Sequence, residues 1–136
     1  LLGLLAAACR PGPPAIAFDM DECRFCRMII SDERYAAAAT TAGGRTVRFD
    51  SIECLAGWVM AETELPRAVW VTDAARPGTL MPAAEASFRR DTVASSPMAG
   101  GWIAEANGRA GIGWDSLLVV VRAEGALPVP HGHPEE

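Results

Sequence analysis

Between Tyr35 and Thr72 the order of residues admits few folds. Arg45-Thr46-Val47-Arg48-Phe49 alternates polar and apolar side chains, the period of a half-buried strand. Tyr35 to Thr41 reads as a strand diluted by four Ala, and Gly43-Gly44 supplies the turn of a hairpin. Asp50 is placed to cap a helix, with Glu53 three positions on completing a capping box. Ile52, Leu55, Ala56, Val59 and Met60 recur at helical spacing and form one apolar face, and Pro66 stops the helix. Ala68-Val69-Trp70-Val71-Thr72 is then a strand, so the unit is β-β-α-β.

The second half is less regular. Ala86 to Val93 reads as a strand with Phe88 buried, and Ser95 to Gly101 as a loop. Trp102 to Ala106 is a short helix or strand, and Leu117 to Val121 fits either. Trp114-Asp115-Ser116-Leu117 repeats the order aromatic, Asp, Ser, aliphatic of Phe49-Asp50-Ser51-Ile52. That echo points to two similar modules packed together in an α+β fold. With 136 residues, half of them apolar, the chain suits one compact domain with a real core.

The ends read differently. Leu1 to Ala8 is apolar apart from Gly3 and resembles the end of a secretion signal, with Cys9 at the position of a lipidated cysteine. Cleavage by an Ala-x-Ala peptidase is the plainer alternative. Arg10-Pro11-Gly12-Pro13-Pro14 is a Pro-rich tether, so residues 1–18 are expected to be signal remnant and tether. Residues 19–125 form the folded domain, and residues 126–136 a polar, Pro-broken tail. No stretch reaches the roughly 20 apolar residues that a spanning helix needs. The formal charge is -5, all twelve basic residues are Arg, and no basic run occurs, which argues against a nucleic-acid partner.

Asp21-Glu22-Cys23-Arg24-Phe25-Cys26-Arg27-Met28 puts a carboxylate, two thiols and a thioether within eight positions. Thiolates and thioethers are soft donors that favour Cu(I) over hard cations. A haem attachment needs His after the second Cys, where Arg27 stands. A structural zinc site needs four ligands, and the only His residues, His131 and His133, lie in the tail. A thioredoxin-like pair sits at a helix start after a strand, whereas Cys23-x-x-Cys26 precedes the first clear strand. A structural disulfide between Cys23 and Cys26 stays open in an oxidising compartment. Met60 falls on the buried helical face and Met81 is undecided, but Met98 lies in the loop Ser95-Ser96-Pro97-Met98-Ala99-Gly100-Gly101 with little apolar company, so it is a candidate ligand. Cys54 falls in the first helical turn, where the positive helix end favours a thiolate; the plainer reading is a small buried core residue.

Asp21-x-Cys23-x-x-Cys26-x-Met28 resembles the motif of the NosL family of nitrous-oxide reductase accessory proteins. Phe49-Asp50-Ser51-Ile52-Glu53-Cys54-Leu55 is similar to the family's Phe-Asp-x-Ile-x-Cys helix start, Val71-Thr72-Asp73 to its strand end, and Ser96-Pro97-Met98 to its Ser-Pro-Met-Gly loop. The resemblance covers roughly Asp21 to Leu118. It implies two ββαβ modules, similar to part of the organomercurial lyase fold. It also implies a non-enzymatic Cu(I) chaperone, lipid-anchored through Cys9 at the periplasmic face of the envelope, at the outer membrane. Its partner would be the nitrous oxide reductase maturation machinery, including a membrane ABC-type complex. Carried over by residue, the Cu(I) ligands would come from Cys23, Cys26, Met28 and Met98, with Asp21 beside them. Two departures stand out: Arg27 and Ala99 replace family Gly residues. Gly reaches backbone angles that other residues avoid, so a different loop geometry is expected at Arg27, which should also add positive charge beside the metal. The alternatives are a thiol–disulfide oxidoreductase using Cys23 and Cys26, a copper-binding relative serving another cuproenzyme, and a lipoprotein with only a structural disulfide.

Overall fold

The computed structural model describes residues 12–92, 96–108 and 110–125. The expected lipidation at Cys9, His131, His133 and the expected tail of residues 126–136 lie outside them. The fold is mixed α+β, with two small sheets and two helices. Strands β1 (Ala37–Thr40) and β2 (Thr46–Phe49) form the expected hairpin, and helix α1 (Ile52–Ala61) returns the chain to β3 (Ala68–Thr72). A short β4 (Leu80–Pro82) extends this sheet to the order β2-β1-β3-β4, antiparallel throughout. β1 is an inner strand, and Ala36 to Ala39 are all fully buried. Successive strand residues face opposite sides of a sheet, so both faces are covered here. The four small Ala let the covering layers approach.

The second unit is β5 (Ala86–Arg90), β6 (Trp102–Ala106) and helix α2 (Trp114–Glu124). Trp102–Ala106 is thus a strand and the run from Leu117 to Val121 a helix, with Leu117 and Val121 buried and Val119 exposed. The first unit has the expected β-β-α-β order plus one strand. The second is β-β-α, and among the described residues no strand follows α2. Single bridges cover both outer edges of the β5–β6 hairpin, Ile112 beside Phe88 and Asp73 beside Ala104. The second of these joins the two sheets. One continuous core, including Phe49, Leu55, Val71, Phe88 and Leu117, runs through both units. Among the described residues no helix is long and apolar enough to cross a membrane.

The start of α1 differs from expectation. Ser51, not Asp50, is the N-cap: its hydroxyl accepts the N–H of Cys54 at 3.1 Å. Ser and Asp cap about equally well, so local sequence does not choose between them. Phe49, fully buried, packs on Trp58 of α1 with ring centroids 5.4 Å apart, and this fixes the β2–α1 junction. The helix ends at Glu62, four residues ahead of Pro66.

Candidate metal centre

Residues 19–30 fold into a tight hairpin ahead of β1. Asp19 N–H donates to Ile30 O, Ile30 N–H to Asp21 O, and Cys23 N–H to Met28 O at 2.7 Å. Cys23 to Cys26 forms the tip, and Arg24 N–H donates to Arg48 O of β2 at 2.8 Å. The tip is thereby fastened to the strand that runs into Asp50 and α1. Arg27 has φ 69° and Ala99 φ 58°. The two residues that stand where the resembling family has Gly therefore adopt the left-handed backbone that Gly takes easily. Arg27 turns its guanidinium to Glu22, Nε to Oε1 2.6 Å, so its charge is met by a carboxylate.

Left-handed backbone costs an L-residue roughly 1–2 kcal/mol, and Gly returns part of that through the extra chain entropy it loses on folding. Ala99→Gly is expected to stabilise the protein by about 0.5–1 kcal/mol, read as a higher urea midpoint at unchanged slope. Arg27→Gly should gain less, because the exposed pair with Glu22 goes with it. A lower midpoint for Ala99→Gly would contradict the strain at that turn.

At the junction of hairpin tip and α1, the ligand atoms of Cys23, Cys26, Asp50 and Cys54 all lie within 4.8 Å of one another. All three cysteines are free, so the structure contains no Cys23–Cys26 disulfide. Cys23, Cys54 and Asp50 are buried, and Cys26 is half-buried. The Cys26 thiol faces both Asp50 carboxylate oxygens at 3.5 Å. The thiols are electrostatically unlike. A hydrogen bond from Cys54 lowers the Cys23 pKa to about 7 against the cost of burial, helped by the backbone amides of Cys26 and Asp50. Burial pushes Cys26 up to about 12. Cys54 is raised because its proton is held by Cys23, with burial acting in the same direction. Among the three thiols, Cys23 therefore loses its proton most readily, beside the positive end of α1. Three sulfurs and one carboxylate converging from two anchored elements could hold a metal ion.

The predicted residues divide. Cys23 and Cys26 are in the group. Asp21 is outside it, with Oδ2 accepting from Ala17 N–H at 2.7 Å and paired with Arg48 Nε at 3.2 Å. Met28 is half exposed beside the tip. Met98 is partly buried against the core, in a turn where Ser96 Oγ accepts Gly101 N–H at 2.9 Å. Sequence reasoning assigned Asp50 to capping and preferred Cys54 as core filler. Cys54 is core, and it is also at the centre. The available signal was the spacing Asp50-x-x-x-Cys54, which puts the two on neighbouring turns once Ser51 takes the cap.

Glu53 is not half of a capping box. It is 4% exposed, and neither carboxylate oxygen meets a donor in hydrogen-bonding geometry. It lies under the Met98 loop: a Cβ on Gly100 would fall 2.0 Å from Glu53 Oε1, so only Gly permits this approach. Burial raises its pKa above 4.5. The native state then binds this proton more tightly than the unfolded chain, so stability falls as pH rises through 4.5 and towards the raised native value. Glu53→Gln does not titrate, so its melting temperature should fall less than that of the parent between about pH 4 and about pH 8. A parent-minus-variant difference that stays constant over that range would contradict a desolvated carboxyl.

Comparison with protein-family models, curated proteins and solved structures returns no match for this chain.

Proposed function

We propose that the chain is a Cu(I) carrier of the NosL kind, which takes up and releases the ion by ligand exchange and performs no chemical step of its own. The observation that carries this reading is the convergence of three free thiols and Asp50 within 4.8 Å. Sulfur-rich, imidazole-free donor sets suit Cu(I), while hard cations want oxygen. Cys23, Cys26 and Cys54 would hold the ion, and Asp50 would accept the hydrogen bond of whichever thiol stays protonated. Met98 would approach from the loop seated on Glu53, the residue before Cys54. Asp21 would act indirectly, by tying the hairpin to Ala17 and Arg48. The left-handed backbone at Arg27 and Ala99 supports the resemblance, since both positions keep the conformation that the family's Gly residues allow.

The proposed setting is the periplasmic face of the envelope, with a lipid anchor at Cys9 and delivery to the nitrous oxide reductase maturation machinery or to another cuproenzyme. Metal-binding thiols must lose their protons, so affinity should climb with pH. Competition with a chromophoric Cu(I) chelator under reducing conditions tests the reading; one equivalent bound per chain supports it, and no uptake ends it.

One observation favours a thiol–disulfide oxidoreductase, the lowered pKa of Cys23. Exchange also needs an accessible thiolate. Cys23 is fully buried, and the more accessible Cys26 is held as a thiol, so the carrier reading is preferred.

A further inference from the structure

Residues 12–18 run as a strap over the face of the four-stranded sheet opposite α1. Phe49 packs on Trp58 of α1, so its neighbour Arg48 points to the other face. There Arg48, Ala38 and Trp70 form one row across β2, β1 and β3. Along the strap, Pro14, Ile16 and Phe18 are partly buried while Ala15 and Ala17 are exposed, the alternation of extended backbone with one side against the sheet. Pro14, Ile16 and Phe18 line a cavity of about 250 Å³ together with Thr72 of β3 and Leu80 of β4. The strap is not a member of the sheet; among the described residues it pairs with no strand.

Arg48 joins this strap to the cysteine hairpin. Its Nε donates to Ala15 O of the strap at 2.8 Å and meets Asp21 Oδ2 at 3.2 Å. The same Asp21 oxygen accepts Ala17 N–H at 2.7 Å, and Ala17 O accepts Asp21 N–H at 2.8 Å. On the backbone side, Arg48 O accepts the N–H of Arg24, the residue after Cys23. One residue thus holds the strap with its side chain and the cysteine tip with its carbonyl, two positions before Asp50.

We propose that Arg48 is a positioning residue of the metal centre, through which the strap sets how firmly the cysteine tip holds its ion. The proposal rests on the Cu(I) reading and deepens it, because it gives control of release to a segment that supplies no ligand. With the strap seated, Arg48 Nε is fixed between Ala15 O and Asp21, and the hairpin is braced on β2 beside Asp50 and α1. With the strap lifted, Ala15 O and Ala17 N–H leave, and the tip keeps only its own hairpin bonds and the bond of Arg24 to β2. Lifting the strap therefore weakens the site. By reciprocity, loading the site tightens the strap.

The test measures Cu(I) affinity by chelator competition on the full chain and four variants. Arg48→Met keeps the stem and removes the guanidinium, and should weaken binding about tenfold. Arg48→Lys keeps a donor for Ala15 O and Asp21, and should stay within about threefold of the parent. Ile16→Ala loosens the strap alone and should weaken binding about threefold. The double variant Ile16→Ala/Arg48→Met should lie within about twofold of Arg48→Met, because the strap acts through Arg48. Two residues that merely stabilise the fold give independent effects that multiply, and that outcome, or parental affinity in Arg48→Met, would overturn the proposal. Amide exchange in the parent adds a readout that needs no variant to fold. Cu(I) should slow exchange at Ala17 and Asp21 about threefold or more, and leave Gly44, bonded to Thr41 O in the β1–β2 turn, unchanged. Equal slowing at all three amides, or none at Ala17 and Asp21, would overturn the proposal while leaving the carrier reading in place. A parent chain that binds no Cu(I) would overturn the carrier reading, and this proposal with it.

Discussion

Cys54→Ser is expected to weaken Cu(I) binding by about tenfold or more, equivalent to at least about 1.4 kcal/mol. Cys54 is buried in the first turn of α1, with its backbone N–H on Ser51 and its sulfur against Cys23. Serine keeps the shape and the hydrogen-bonding capacity and removes the soft donor. A core role and a ligand role then separate cleanly. As core alone, the buried hydroxyl would cost stability, on the order of 1–3 kcal/mol, and leave copper affinity unchanged. As a ligand, affinity falls by more than any change in stability explains. Chelator competition and urea denaturation on the same variant give both numbers. Full affinity in a destabilised variant would return Cys54 to the core.

Oxidation should have the second large effect. Removing two thiols as one disulfide leaves the cluster with a single thiol, Asp50 and any thioether that can reach. Each lost thiolate should cost at least about 1.4 kcal/mol, so the oxidised protein should bind Cu(I) about a hundredfold more weakly, and reduction should restore it. The sequence suggests only Cys23 with Cys26. The folded chain brings Cys54 equally within reach, so Cys23–Cys54 is an alternative bond in the buried part of the site. Titrating one sample before and after reduction, with thiols counted each time, checks the expectation. Equal affinities at different thiol counts would mean that the cysteines are not essential ligands.

The first module was legible because its signals agree across levels. Alternation in Arg45–Phe49, the apolar face of Ile52 to Met60 and the run Ala68–Thr72 each state their period plainly. The second was not, because five residues such as Trp102–Ala106 are too short to distinguish a helix from a strand. Pairing of Arg90 with Trp102 and of Ala86 with Ala106 makes that segment a strand. The β-branched run Val119-Val120-Val121 suggests a strand by propensity, yet it lies in a helix. Leu117 and Val121, one turn apart, face the core there, and packing overrides propensity. At the site, Cys23 and Cys26 were visible from spacing alone. Asp50 was hidden by an ambiguity of one residue. With Ser51 as the cap, the carboxylate of Asp50 is free to face the thiols. Glu53 was misread for the same reason, since moving the cap by one position takes its side chain out of the box and places it under Gly100.

X-ray absorption at the copper edge of the Cu(I)-loaded, reduced protein tests the central claim most directly. The account predicts a first shell made of sulfur, two or three scatterers drawn from Cys23, Cys26 and Cys54, with one fewer in Cys54→Ser. A shell of nitrogen or oxygen, or a sulfur shell that does not change in Cys54→Ser, would contradict it.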